Sequence, residues 1–173
     1  LGIDRDSAKS FSYACLPITT KVLTPDGWKF HYELRENDII YSYNLDENII
    51  QKDRIVLKHK FKNKDVYRFF NDEYSFECTM DHRWYGYKTY YRNDTEQKEY
   101  CYFTAAEFGT EDFTIVLGSP IEEPDDYIDG KTKDILNSLE LQKDTIKVSS
   151  LDYELLAENK DVFCLTTNNG SFI

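Results

Sequence analysis

At 173 residues the chain is long enough for one domain whose core removes roughly two thirds of the unfolded surface from water. Its 21 basic and 32 acidic side chains leave a net charge of −11, which opposes a phosphate backbone and argues against nucleic-acid binding by this chain. No apolar run approaches the roughly 20 residues that span a bilayer, and the first residues lack the basic-then-apolar order of a secretion signal, so no membrane partner and a cytoplasmic setting are expected.

Cys15, Cys78, Cys101 and Cys164 stand singly, with no CxxC pair and no His at ligand spacing, so neither a disulfide framework nor a metal site is indicated. The 14 Tyr and 11 Phe suit pleated, half-buried surfaces, and the expected class is all-β.

In chain order, residues 4–14 predict a short helix with an acidic first turn, marginal by itself. Residues 22–24 and 28–30 flank Pro25-Asp26-Gly27 and predict a hairpin whose turn needs positive φ at Gly27. Strands are expected over 39–43, 54–57, 66–70 and 75–79, with 85–91 facing 100–103 across a polar turn at 93–99. One helical turn at 104–108 precedes a strand over 113–117. Residues 121–134 carry six acidic side chains with Pro124 and Gly130, and they predict a mobile loop. Short strands close the chain at 145–149, 153–156 and 162–166, with another just starting at Phe172.

Three features invite chemistry. Cys15 follows the helix and precedes Pro17, which forbids the helix to continue and pushes Leu16 to extended geometry. An isolated Cys is most often a small buried hydrophobe, and that reading stands beside the reactive one. Thr79-Met80-Asp81-His82 places a hydroxyl and an imidazole three residues apart at a strand end, where a tight turn can aim both at one peptide bond. His31 and His59 sit within strand patterns and read as surface or core filler. Cys164 shares a strand face with Val162 and Thr166, while Cys78 and Cys101 read as packing.

Cys15-Leu16-Pro17, Thr20 to Thr24, Glu33 to Ile40, Thr79-x-x-His82, Asp161 to Thr166 and Ser171-Phe172-Ile173 occur in an order that resembles an intein, the self-excising element of the hedgehog/intein (Hint) family. The likeness covers residues 15–173 and implies a horseshoe of short strands performing autocatalytic, single-turnover protein splicing without a cofactor. Residues 1–14 would then be an upstream flank, or extein. Within it Arg5, Lys9 and Tyr13, with Asp6, Ala8 and Phe11 between, resemble the nucleotide-binding helix of phage-type family A DNA polymerases, which would run on where this one stops at Ala14.

The resemblance implies that Cys15 attacks the carbonyl of Ala14 to form a thioester. Amides are more stable than thioesters, so the site must protonate the departing nitrogen. That suits His82 as general acid and Thr79 as a donor holding the scissile unit. Cys164 falls where most inteins carry an acid/base group, with Asp81 a possible accessory. A minority intein class pairs a tryptophan at the position of Trp84 with a cysteine at that of Cys164, and there that cysteine attacks first. This chain carries both that pair and Cys15.

It departs from the pattern at its end. No terminal His-Asn pair follows Ile173, Asn168 and Asn169 do not fill that role, and the family's last strand is expected to have been removed or to sit on a second piece of a split intein. The stretch between His82 and Asp161 is too short for a homing endonuclease, with the acidic loop 121–134 in its place as a candidate split site. The implied partners are the chain's own flanks and a complementary fragment, the domain itself being monomeric. Two other readings are a non-catalytic β-rich interaction domain, inert to thiols, and a cysteine hydrolase with an open site.

Overall fold

A computed structural model describes residues 15–44, 46–47, 49–117, 130–141 and 145–172. The helix expected at 4–14, the junction residue Ala14 and loop residues 121–129 lie outside the described residues. The architecture is all-β. Strands β1 (Leu16–Pro17), β2 (Lys21–Thr24), β3 (Gly27–Phe30), β4 (Ile39–Asn44), β5 (Ile49–Phe70) and β6 (Ser75–Cys78) are followed by β7 (Arg83–Arg92), β8 (Thr95–Thr104) and β9 (Phe113–Val116). Helix α1 (Gly130–Leu141), β10 (Thr145–Lys147) and β11 (Asp152–Thr167) complete the chain. One sheet runs β1-β11-β5-β4 with β6 also on β5; a second runs β10-β9-β7-β8; β2 and β3 form a separate hairpin.

The hairpin turns follow their sequence signals. Gly27 adopts φ 104°, open to it without a Cβ, while Asn93 and Asp94 take φ 52° and 59° in a two-residue turn that matches the twist of β7 and β8. The polar turn expected over 93–99 is therefore shorter, and 95–99 continues the strand. Gly86 is needed on β7, because a Cβ there would collide with the Thr114 carbonyl of β9.

Two elements are far longer than their sequence patterns. β5 runs unbroken for 22 residues, and β11 for 16, where two short strands were expected in each region. They pair antiparallel along most of their length, with register shifts around Ala157 and Lys160 that absorb Asn63 and Asn159 in left-handed geometry. The tail of the expected acidic loop also differs, since from Gly130 the chain is helical. Leu136 and Thr132 are buried on one helix face, Leu136 against Leu23, Tyr41 and Ile50, and that contact holds residues 130–134 in α1.

The core is divided among packed clusters rather than gathered into one. Phe69, Phe103, Phe113 and Ile115 fill the space between the two main sheets, with Phe103 stacked on Phe113 at 3.9 Å between ring centroids. Val22, Leu34, Ile40, Ile55, Phe163 and Leu165 form another cluster, on the odd-numbered face of β11. Fully burying a side chain of this size is worth about 1.5–3 kcal/mol. The even-numbered face of β11 carries Val162 and Cys164, which pack with Cys15, Val66 and Phe61, and this cluster anchors the candidate site.

Candidate functional site

The site begins where β6 ends. Cys78 is paired with Tyr67 of β5, and the chain then turns through Thr79-Met80-Asp81-His82, closed by the His82 amide donating to the Thr79 carbonyl at 3.0 Å. The one-turn helix after β8 buttresses this turn: the amides of Ala105 and Ala106 donate to the carbonyls of His82 and Met80 at 2.9 and 3.0 Å. That helix is itself capped, with the Thr104 amide and hydroxyl donating to the Glu107 carboxylate at 2.7 and 2.8 Å and holding it below the usual carboxylate range. Thr79 thus stands on a rigid support, and both its amide and its hydroxyl donate to the carbonyl of Cys15, at 3.2 and 3.3 Å.

Cys15 enters β1, whose Leu16 and Pro17 oppose Phe163 and Val162 of β11. The next rung brings Cys15 beside Cys164. Cys15 is 0% exposed and its thiol is pushed up to about 12, first by burial and then by Cys164, with Lys64 opposing and Asp81 reinforcing. Cys164 is half-buried, its thiol 3.7 Å from the Leu165 carbonyl, and it stands directly opposite His59 of β5.

His82 is buried, and its Nδ1 has no hydrogen-bond partner among the described residues. Burial, aided by the adjacent Arg83 charge, lowers its pKa to about 3. Its ring meets Trp84 edge-on at 4.9 Å, and Trp84 packs on Phe76 at 4.5 Å. Asp81 is exposed and pairs with Lys64 at 3.8 Å.

A cleft of about 1030 Å³ opens beside these groups, with His59, His82, Trp84 and Cys164 in its wall and the 168–172 turn at its rim. Asp53 pins that turn: it accepts from the side chain of Asn168 at 2.7 Å and the amide of Asn169 at 2.8 Å. Burial alone would push its carboxyl up, but these bonds and the Arg54 amide outweigh it and hold it below the ordinary range. Asn168 and Asn169 are therefore fastened as structural side chains. No group of three or more potential metal ligands occurs among the described residues.

Of the residues singled out from the sequence, Cys15 and Thr79 are hydrogen-bonded, Cys15 and Cys164 are packed together, and His82, Trp84 and Cys164 border one cleft. Thr79 grips the carbonyl of Cys15 itself, the peptide that follows the Ala14–Cys15 bond. Among the other cysteines, Cys78 is in the core and Cys101 packs against it. His31 is core filler, stacked on Phe163 and bonded to the Ile18 carbonyl. His59 is different: it faces the site, and sequence reading passed it over. Its signal is the alternation Lys58-His59-Lys60-Phe61-Lys62, which puts the lysines on one face and His59 with Phe61 on the other.

No protein-family model matches the sequence, and no curated protein matches it. By structure it is similar to a splice-inactive variant of the AceL NrdHF class 3 split intein, with TM-score 0.58 and 16% identity over 92% of this chain and 90% of that one. It is similar to a variant of the Ssp DnaB mini-intein, with TM-score 0.53 and 11% identity over 94% and 91%. A third likeness is to the bacterial intein-like domain from Clostridium thermocellum, with TM-score 0.52 and 10% identity over 94% and 99%. These likenesses establish the fold, which is the Hint horseshoe shared by inteins.

Proposed function

We propose that the chain is an intein that rearranges its own peptide bonds, one turnover per molecule, beginning at Ala14–Cys15. The observation that carries this reading is the pair of hydrogen bonds from Thr79 to the Cys15 carbonyl. They fix the residue whose sulfur and nitrogen exchange the acyl group. In the first step the Cys15 sulfur bonds to the Ala14 carbonyl carbon, the carbon–nitrogen bond breaks, and the thiol proton ends on the departing nitrogen.

In this reading the proton's route follows from the two pKa shifts. With its pKa near 12 the Cys15 thiol is protonated at neutral pH, so it must lose its proton as it attacks. With its pKa near 3, His82 is neutral, and only about one ring in ten thousand carries a proton at pH 7. His82 therefore serves as general acid only after collecting a proton, and the one released in the step is that of Cys15. Thr79 keeps the residue oriented meanwhile. The partners in this reading are the chain's own flanks and, as for the split intein whose fold it shares, a complementary fragment.

The test is thiol-induced cleavage. Incubation of the chain, extended by a downstream flank with a terminal strand, with dithiothreitol is expected to release residues 1–14. Cys15→Ala abolishes that release and Cys101→Ala leaves it intact. A chain inert to the thiol overturns the reading and favours an interaction domain. A second reading gives the first attack to Cys164, because it borders the same cleft as Trp84 while Cys15 is closed to solvent. It predicts that Cys164→Ala blocks release and Cys15→Ala spares it.

A further inference from the structure

The pairing of three strands lines up a row that the splicing reading does not use in full. Cys164 of β11 opposes His59 of β5, and on the other side of β11 the rung beyond Leu16–Phe163 brings in Cys15. Directly opposed antiparallel residues share a face, with Cβ atoms about 4.5–5.5 Å apart. Cys15, Cys164 and His59 thus cross three strands in order. Lys58 and Lys60 occupy the other face, Lys58 donating to the Leu34 carbonyl and Lys60 paired with Asp161. Phe61 stacks beside His59 at 6.1 Å, and Phe61 and Cys164 pack against the buried cluster of Cys15, Val66 and Val162, so the row is closed at Cys15 and borders the cleft at Cys164 and His59.

We propose that His59 is the proton acceptor for Cys164, and that Cys164 thereby takes the acyl group over from Cys15. This rests on the splicing reading. The Cys164 thiol gives its proton to the His59 imidazole, and the thiolate attacks the carbonyl carbon of the Cys15 thioester. The new carbon–sulfur bond forms, the bond to the Cys15 sulfur breaks, and that sulfur collects the proton from His59. An imidazole is the side chain suited to taking and returning a proton near neutral pH. Exposure supplies the reason for a relay: Cys15 is sealed, whereas Cys164 borders the cleft, so the acyl group passes from a closed position to one that a second nucleophile can enter. The other ionisable groups lining the cleft are Lys21, Glu77, His82, Arg83 and three tyrosines.

The test reacts the folded full chain with iodoacetamide from pH 6 to pH 9 and quantifies each modified cysteine by peptide mass spectrometry. His59→Gln is expected to slow modification of Cys164 at pH 7 about tenfold and move its pH midpoint upward, leaving Cys101 unchanged. An unchanged Cys164 overturns the pairing. Alkylation does not depend on splicing, so failure of thiol-induced release overturns the splicing reading while this measurement stands by itself. A second measurement needs no change at His59: NMR titration of its ring in the wild type and in Cys164→Ser should give displaced curves, and identical curves overturn the pairing. After acid quenching of the reacting wild type, the acyl group is expected on Cys164, with Cys15 free to alkylate once denatured. Acyl group on Cys15 and none on Cys164 overturns the relay.

Discussion

Cys15 and Cys164 are neighbours on adjacent strands, yet they meet opposite surroundings. Cys15 is sealed by Val66 and Val162 and has its carbonyl clamped by Thr79; Cys164 stands half-buried at the edge of a cleft with an imidazole across the strand. One side-chain type thus appears in two states, set by burial rather than by local sequence. The sealed residue has its carbonyl held by Thr79 and its thiol protonated at neutral pH. The bordering one is open to reagents that enter the cleft.

The sharpest way to break this comparison is native alkylation. At pH 8 Cys164 is expected to modify about a thousandfold faster than Cys15, because a thiol raised to about 12 is almost entirely protonated and its sulfur is out of reach; denaturation should equalise them. Next in size is Thr79→Val, which removes the hydroxyl donor to Cys15 and keeps the amide. Leader release should slow by about ten- to a hundredfold, with about 1 kcal/mol of stability lost, read by gel densitometry and urea melts.

Acid probes the buried, neutral imidazole of His82. His82 has a folded-state pKa below its unfolded value of 6.5, so the unfolded chain binds the extra proton between these limits. Its contribution is intact above pH 6.5 and is lost progressively as pH falls towards 3. Urea melts at pH 7 and pH 4 should show His82→Gln less acid-sensitive than the wild type. Asp53→Asn should then cost about 1–3 kcal/mol by loosening the 167–171 turn at the rim near Cys164, with Cys15 unaffected in alkylation. Lys64→Ala should change a urea melt by less than about 0.5 kcal/mol, since its pair with Asp81 is exposed.

Much of this arrangement was legible because turn chemistry and period-two patterning agree locally. Pro25-Asp26-Gly27, the β6 strand and the Thr79–His82 turn are set by neighbours in sequence, and they lie where their residues indicate. The long strands were hidden for a physical reason: the lysine- and asparagine-rich tips of β5 and β11 look like loops, and only mutual pairing with shifted register keeps them extended. Helix α1 was hidden by the acidic run before it, since what orders it is the burial of Leu136 against β2, β4 and β5. The place of His59 at the cleft was not legible because a lone histidine in a strand carries no local sign of its cross-strand partner. Cys164 becomes its neighbour through residues more than a hundred positions away.

The shortness of β1 has a mechanical consequence. Two rungs to β11 and the Thr79 clamp join the backbone at Cys15 to the body of the domain, whereas β5 and β11 grip each other along most of their length. A pulling force applied to the chain ahead of Cys15 loads those few bonds first. Tension from that side would peel Cys15 from its support while the long ribbon behind it stays intact, so strain on the upstream end undoes the Thr79 contact before it acts on the fold.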